Sequence, residues 1–286
     1  MAGLSYFDSV VLGVVEGLTE FLPVSSTGHL TIAEKALGHP VDDPAITAYT
    51  AVIQLGAIVA TFIYFAKDIR RLLAAWFTGL RRPEKRHDDE YRVAWAVIAG
   101  SIPILFVALI AKDLVSGPLR SLWVVAVSLI LWGGVMWWAE NVHSRRSAAG
   151  RVRGESTLTM KDGLAIGVVQ CLSLVPGVSR SGATISAGLV RGLDRVAATR
   201  LSFFLAIPAL TAAGLYEAVS ERDGLRLLGT GPIVVGIVVA FVVAYASIAW
   251  LLRFVASNSL KPFVWYRWAL GIVIIVLLAT SVMGPK

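Results

Sequence analysis

Pro23-Val24-Ser25-Ser26-Thr27-Gly28-His29 interrupts an apolar stretch over residues 5–38, and Pro176-Gly177-Val178-Ser179-Arg180-Ser181-Gly182 interrupts a second over 162–192. Six other stretches run unbroken, at 47–66, 93–111, 121–140, 199–218, 231–252 and 265–284. Each is close to the ~20 residues that cross a bilayer core. Backbone that is not helical survives at membrane depth only where protein buries it or where it lines a wet cavity. The two interrupted stretches therefore read as re-entrant helix–loop–helix hairpins. The chain as a whole reads as an all-α polytopic membrane protein with six transmembrane helices plus these two hairpins. Composition agrees, with 56% hydrophobic residues, 16% charged residues and a mean hydropathy of +0.73; a soluble domain carries roughly a quarter charged residues. The one cysteine, Cys171, excludes an intrachain disulfide and sits where a small core residue is expected. Residues 1–22 lack a basic n-region, so no cleavable signal peptide is expected.

A shift of 154 residues superposes the two interruptions. Gly13 falls on Gly167, Val24-Ser25 on Val178-Ser179, Thr27 on Ser181, Gly28 on Gly182, and Ser26 on Arg180. The following spans also align after a one-residue adjustment, with Leu55 on Pro208. The expected organisation is a single integral membrane domain over 1–286, with repeat one at about 1–140 and repeat two at about 160–286. Each repeat holds one hairpin and three spans. Three is odd, so the second repeat enters the membrane from the opposite face, as in the inverted-topology repeats of transporters.

Charge orients this frame. The net charge of +7 would suit a nucleic-acid partner, but in a membrane protein basic residues concentrate in cytoplasmic loops. The segment 67–92, expected as a loop, carries Lys67, Arg70, Arg71, Arg81, Arg82, Lys85, Arg86 and Arg92. The stretch 141–161 adds Arg145, Arg146, Arg151, Arg153 and Lys161. The other side has only Lys35, Lys112, Arg120, Arg222, Arg226 and Lys286. The expectation is cytoplasmic basic segments, external termini, the bilayer as partner and no nucleic acid. His87-Asp88-Asp89-Glu90 reads as a solvated charge run. Trp76, Trp95, Trp123, Trp137, Trp138, Trp265 and Trp268 fall near span ends, where lipid-facing interfacial anchors are expected.

The residues that cost most at membrane depth point to chemistry. Glu16 and Glu20 stand one helical turn apart in an apolar run, where each carboxylate costs about 3 kcal/mol on insertion scales unless it faces a polar interior. Such a pair can bind a divalent cation or manage a proton beside an anionic substrate. After Pro23, Ser25, Ser26 and Thr27 would begin a new helix, and a helix N-terminus presents N–H groups and hydroxyls to phosphate. His29 follows within one turn, and a hydroxyl beside an imidazole is the minimal unit of an activated nucleophile. The second break supplies Ser179, Arg180 and Ser181, with Arg180 suited to a bidentate phosphate clamp. If the repeats interdigitate, these groups enclose a site fit for a di- or polyphosphate anion.

The run Glu16-Gly17-Leu18-Thr19-Glu20-Phe21-Leu22-Pro23-Val24-Ser25-Ser26-Thr27-Gly28-His29, together with Pro176-Gly177-Val178-Ser179-Arg180-Ser181-Gly182-Ala183-Thr184, resembles the undecaprenyl-diphosphatase (bacitracin-resistance) family. The resemblance extends to Val52-Ile53-Gln54-Leu55-Gly56 and Ser202-Phe203-Phe204-Leu205-Ala206-Ile207-Pro208. It implies a multi-pass phosphatase of the bacterial plasma membrane that converts undecaprenyl diphosphate to undecaprenyl phosphate and so recycles the lipid carrier of wall synthesis. It also implies a site open to the external side. Carried over, Glu16 and Glu20 belong to activity that depends on a divalent cation, Mg²⁺ or Ca²⁺. Ser26 and His29 belong to nucleophilic or acid–base work, and Arg180 to pyrophosphate binding. Ser25, Thr27, Ser179 and Ser181 would complete the substrate contacts. The assembly is left open, a homodimer included.

The competing class is an inverted-repeat transporter or flippase of a phosphorylated lipid, which would share the broken helices and the intramembrane carboxylates. A Ser/His pair beside an arginine clamp separates the two, since transport needs no nucleophile.

Overall fold

The computed structural model describes residues 4–40, 43–116, 119, 121–220, 228–282 and 284. Arg120, Arg222, Arg226 and Lys286, and the side chain of Lys112, lie outside the described residues. Six helices among the described residues are long and apolar enough to cross a membrane, and they coincide with the six expected spans. They are α3 (Pro44–Tyr64), α5 (Asp89–Ser116), α6 (Leu122–Ala148), α9 (Arg195–Ser220), α10 (Thr230–Ser257) and α11 (Lys261–Ala279). Asp43 and Ser121 cap α3 and α6 by accepting from backbone N–H groups of the first turn, which leaves fewer orphan donors at the helix starts.

The interrupted stretches fold as two pairs of short helices. The first pair is α1 (Tyr6–Thr19) and α2 (Ser26–Ala36); the second is α7 (Met160–Gln170) and α8 (Arg180–Val190). At a rise of about 1.5 Å per residue these helices measure roughly 16–21 Å, well short of a ~30 Å hydrocarbon core. Each pair begins on a capping box, Ser5 with Asp8 and Thr159 with Asp162. Each pair also turns back on itself. Asp8 meets His39 just beyond α2 at 3.2 Å, and Asp162 meets Arg191 at the end of α8 at 2.8 Å. Asp8 and Asp162 stand 154 residues apart, as do Ser5 and Thr159. Burial alone would raise the Asp162 carboxyl, but hydrogen bonds from Arg153, Thr159 and Arg191 bring it down to about 2. Because its folded value is depressed, this carboxylate stabilises the fold above the ordinary aspartate range, and the contribution is lost as pH falls toward 2.

Each short first helix lies along a long helix from the other half, α1 on α10 and α7 on α5. Glycine makes these approaches close. A Cβ on Gly167 would stand 2.1 Å from the carbonyl oxygen of Gly100, and one on Gly163 1.9 Å from that of Ala96. A Cβ added to Gly13 or Gly17 would stand 2.9 or 2.8 Å from the backbone oxygens of Gly236 or Ala240 on α10. Small residues four apart permit this backbone contact, the usual basis of tight helix pairing in a bilayer.

The basic segment 67–92 differs from expectation: it is mostly helix rather than loop. α4 (Ala66–Arg81) buries Leu72, exposes Leu73, Phe77 and Leu80, and carries Lys67, Arg70, Arg71 and Arg81. That periodicity makes an amphipathic helix suited to lie in a membrane interface. Ion pairs of Arg71 with Glu155, and of Arg200 with Asp68 and Glu155, gather 67–92 and 141–161 at one end of the bundle. Within the charge run, Asp88 pairs with Lys85, Asp89 with Arg92, and Glu90 with Arg71. Cys171 is half-buried, its thiol directed at the Gly167 carbonyl.

The tryptophans also divide more unevenly than expected. Trp123, Trp138 and Trp265 are exposed, whereas Trp76, Trp137 and Trp268 pack against the core. Trp268 fills the space left by Gly133 and donates its indole N–H to the carbonyl of Ile130, so it buries an apolar body with its polar atom satisfied.

The glycine contacts give a paired test. Gly167→Ala should lower the unfolding midpoint in detergent by several degrees, because α5 and α7 must separate. Gly134→Ala, where an added Cβ meets nothing within 4 Å, should leave it unchanged.

Candidate active site

The two breaks meet inside the bundle, and the geometry of each follows from its own sequence. α1 ends at Thr19 with Glu20 as its C-cap, and Pro23 prevents the helix from resuming at once. Ser25 then takes φ 77°, and Ser179, its counterpart 154 residues on, takes φ 74°. A left-handed residue other than glycine costs about 1–2 kcal/mol, strain that concentrates at functional sites. The reversal turns α8 back so that Arg180 and Ser181 at its N-terminus face the first break. Ser179 caps α8 by accepting from the Gly182 N–H at 3.1 Å, whereas the Ser25 side chain makes no capping bond on α2. The first-turn N–H groups of α2 are thus left to an incoming acceptor.

Contacts across the breaks link Glu20, Ser26 and Arg180. The Ser26 hydroxyl donates to Glu20 Oε2 at 2.6 Å. Arg180 Nη2 lies 3.4 Å from Glu20 Oε1 and 3.5 Å from the Glu20 carbonyl, while Nη1 donates to the Ser202 carbonyl at 2.9 Å. Phe21 lies under the guanidinium at 5.9 Å. Arg180 Nε is buried and has no hydrogen-bond partner, so one donor of the fork remains available. Ser181 donates to the carbonyl of Leu22 at 2.9 Å, a second bond from one break to the other, and its hydroxyl sits 3.1 Å from that of Ser179. Ser202 continues the network to Thr184 at 2.7 Å.

The remaining candidates stand around this core. Glu16, one turn before Glu20, is 1% exposed, and its Oε1 has no partner. No group of three His, Cys, Asp or Glu side chains gathers among the described residues. A pair of carboxylates with an unsatisfied oxygen nevertheless fits a hard divalent cation, which commonly takes one or two carboxylates and completes its shell with phosphate and water. His29 is directed away from Ser26. Its Nδ1 lies 2.7 Å from the Ser25 carbonyl and its Nε2 2.6 Å from the Tyr266 hydroxyl. Thr27, in the first turn of α2, is exposed.

Arg267 is the residue that the reading of the sequence passed over. It lies three positions into the last predicted span, where a lone arginine looks like a group reaching for headgroup water. Its side chain is instead fully buried. Nη1 donates to the carbonyl of Pro23 at 3.2 Å and Nη2 to that of Gly177 at 2.7 Å. Nε and Nη2 also reach the carbonyls of Leu129 and Ser128 on α6, at 3.3 and 3.4 Å. Pro23 and Gly177 are themselves 154 residues apart, so one guanidinium holds equivalent points of both breaks. The available signal was the charge itself, inside a window otherwise apolar enough to span. Arg267→Lys keeps the charge but not the fork, leaving carbonyls unsatisfied at about 1–3 kcal/mol each. The variant should show a lower unfolding midpoint and at least a tenfold drop in kcat/KM.

Comparison with known proteins places the chain in a family. The family described as Bacitracin resistance protein BacA matches residues 9–273. A protein of Frankia casuarinae named Undecaprenyl-diphosphatase 3 is 54% identical over 282 residues, covering 98% of this chain and 99% of that one. Undecaprenyl-diphosphatase 1 of Streptomyces coelicolor is 55% identical across 99% of both chains. Undecaprenyl-diphosphatase of Cutibacterium acnes is 49% identical, covering 98% of this chain and 99% of its own. The match takes in both breaks, all six spans in whole or in part, and Arg267. This chain belongs to the bacitracin resistance protein BacA family.

Proposed function

We propose that this chain is an undecaprenyl-diphosphate phosphatase, releasing phosphate from undecaprenyl diphosphate and returning undecaprenyl phosphate to bacterial wall synthesis. One observation carries the reading: the Ser26 hydroxyl donates to Glu20, and Arg180, on the same carboxylate, keeps a spare N–H. A nucleophile with its base in place, beside an anion clamp, is what hydrolysis of a phosphoanhydride needs and transport does not. The relatives' names supply the substrate.

In this reading the polyprenyl tail stays among the helices in lipid while the diphosphate enters between the breaks. The Arg180 fork, the first-turn N–H groups of α2 and the hydroxyls of Ser25, Thr27, Ser179 and Ser181 bind its oxygens. Ser26 Oγ attacks the terminal phosphorus as its proton passes to Glu20 Oε2. The anhydride bond breaks and undecaprenyl phosphate departs. Water then cleaves the phosphoserine, its proton being taken up by His29, while Glu20 returns its own to Ser26. Glu16 and Glu20 would hold a Mg²⁺ or Ca²⁺, whose chemistry is to screen the charge of the bound phosphates.

The 154-residue correspondences support one integral membrane domain built as an inverted repeat, its two helix pairs entering the bilayer as re-entrant hairpins. The basic end then faces the cytoplasm and the mouth beside Thr27 opens externally, in agreement with the positive-inside rule.

Phosphate release by detergent-solubilised protein given a polyprenyl diphosphate tests the proposal. Wild type should turn over with dependence on divalent cation, and no release would favour the transporter class. Ser26→Ala and Glu20→Gln should each reduce turnover by about a hundredfold or more, the range of acid–base and nucleophilic groups. Near-normal release by Ser26→Ala would remove it as the nucleophile. Arg180→Ala should act mainly on KM.

A further inference from the structure

His29 enters the reaction above as a proton carrier, yet neither of its ring nitrogens faces Ser26. The Nδ1 contact is with a backbone carbonyl, that of Ser25, which can only accept. Nδ1 therefore carries a hydrogen in every protonation state. In the neutral ring Nε2 must then be the unprotonated nitrogen, and the Tyr266 hydroxyl donates to it across 2.6 Å. When Nε2 gains a proton the bond reverses, and Nε2–H donates to the tyrosine oxygen. Tyrosine can serve both states because its hydroxyl donates and accepts.

The surroundings suit that task. The two rings are stacked, with centroids 5.5 Å apart and planes 10° from parallel, so packing as well as the hydrogen bond fixes the imidazole. Tyr266 is 46% exposed and the His29 ring half-buried, so the tyrosine stands on the more open side of the pair. Its position is not adjustable, because the next residue on α11 is Arg267, locked to both breaks by its fork. The charged group that acts on His29 is Arg267, on α11 beside Tyr266.

We propose that Tyr266 is a positioning residue for the phosphatase reaction, holding His29 by its Nε2 and connecting that nitrogen to water. The transfer balances without any heavy-atom bond being made. As Nε2 takes the hydroxyl proton of Tyr266, the tyrosine oxygen takes one from water, and the reverse sequence discharges the imidazolium. The proposal rests on the assignment of His29 to the site.

Tyr266→Phe tests it, since phenylalanine keeps the stacked ring and removes only the hydroxyl. The expected result is a kcat about tenfold lower, the scale of one lost hydrogen bond, with KM within about twofold of wild type. The unfolding midpoint should be unchanged, and the ¹⁵N signal of His29 Nε2 should move in labelled protein. Wild-type kcat in Tyr266→Phe would overturn the proposal, as would a kcat loss matched by a fall in the midpoint with the ¹⁵N signal unmoved. His29→Gln, measured alongside, separates the two failures. Wild-type turnover in that variant would overturn the assignment of His29 itself, and this proposal with it. A defective His29→Gln beside an unaffected Tyr266→Phe would overturn only the role given to the tyrosine.

Discussion

The guanidinium of Arg267 is the constraint on which the site depends. Two chain breaks inside an apolar bundle expose carbonyls that have lost their helical partners, and at that depth an unsatisfied carbonyl is costly. Arginine is the side chain that can answer several at once, because its donors are fixed in a planar fork. Here the fork reaches Pro23 in one break, Gly177 in the other, and two carbonyls of α6. The arrangement does more than satisfy hydrogen bonds. It fixes the distance between the breaks, which allows Arg180 to lie against Glu20 and Ser181 to reach Leu22. It also sets a positive charge beside the proposed phosphate site.

Around this joint the bundle is made rigid by close backbone contact rather than by large side chains. Gly13 and Gly17 admit α10, while Gly163 and Gly167 admit α5, so each short helix is braced along a long one from the other half. The helix pairs are then pinned at their outer ends by Asp8 with His39 and by Asp162 with Arg153 and Arg191. Pinned outer ends and buried carbonyl clamps leave the two left-handed serines, Ser25 and Ser179, little freedom to relax. Both halves thus carry a similar frame, but the chemistry placed on it differs. The first brings carboxylates, hydroxyls and histidine, and the second brings Arg180, the proposed phosphate clamp.

The spans could be read directly, because ~20 consecutive apolar residues are a statement about composition that tertiary contacts do not alter. The breaks could be read as well: Pro23 and Pro176-Gly177 oppose helix, and the serines after them favour a new start. Side-chain direction could not. Spacing places His29 near both Ser25 and Ser26, but only the backbone turn shows that the ring goes to the Ser25 carbonyl and to Tyr266, while Ser26 goes to Glu20. Arg267 and Trp268 escaped for a related reason. Both resemble interfacial residues in a window of sequence, yet partners more than 100 positions away bury Arg267 fully and Trp268 in part. The helix over Ala66–Arg81 was hidden by its charge density, although its apolar residues recur at helical spacing.

In the proposed mechanism both breaks form one phosphate site, with Ser26 and Arg180 on opposite sides of the same group. A structure determined with a methylene-bridged polyprenyl diphosphonate bound would test it most directly. The terminal phosphonate should lie between the breaks, its oxygens on Arg180 and the α2 N-terminus and its phosphorus in line with Ser26 Oγ. A phosphonate held by one break alone, or bound where Ser26 cannot reach the phosphorus, would contradict it.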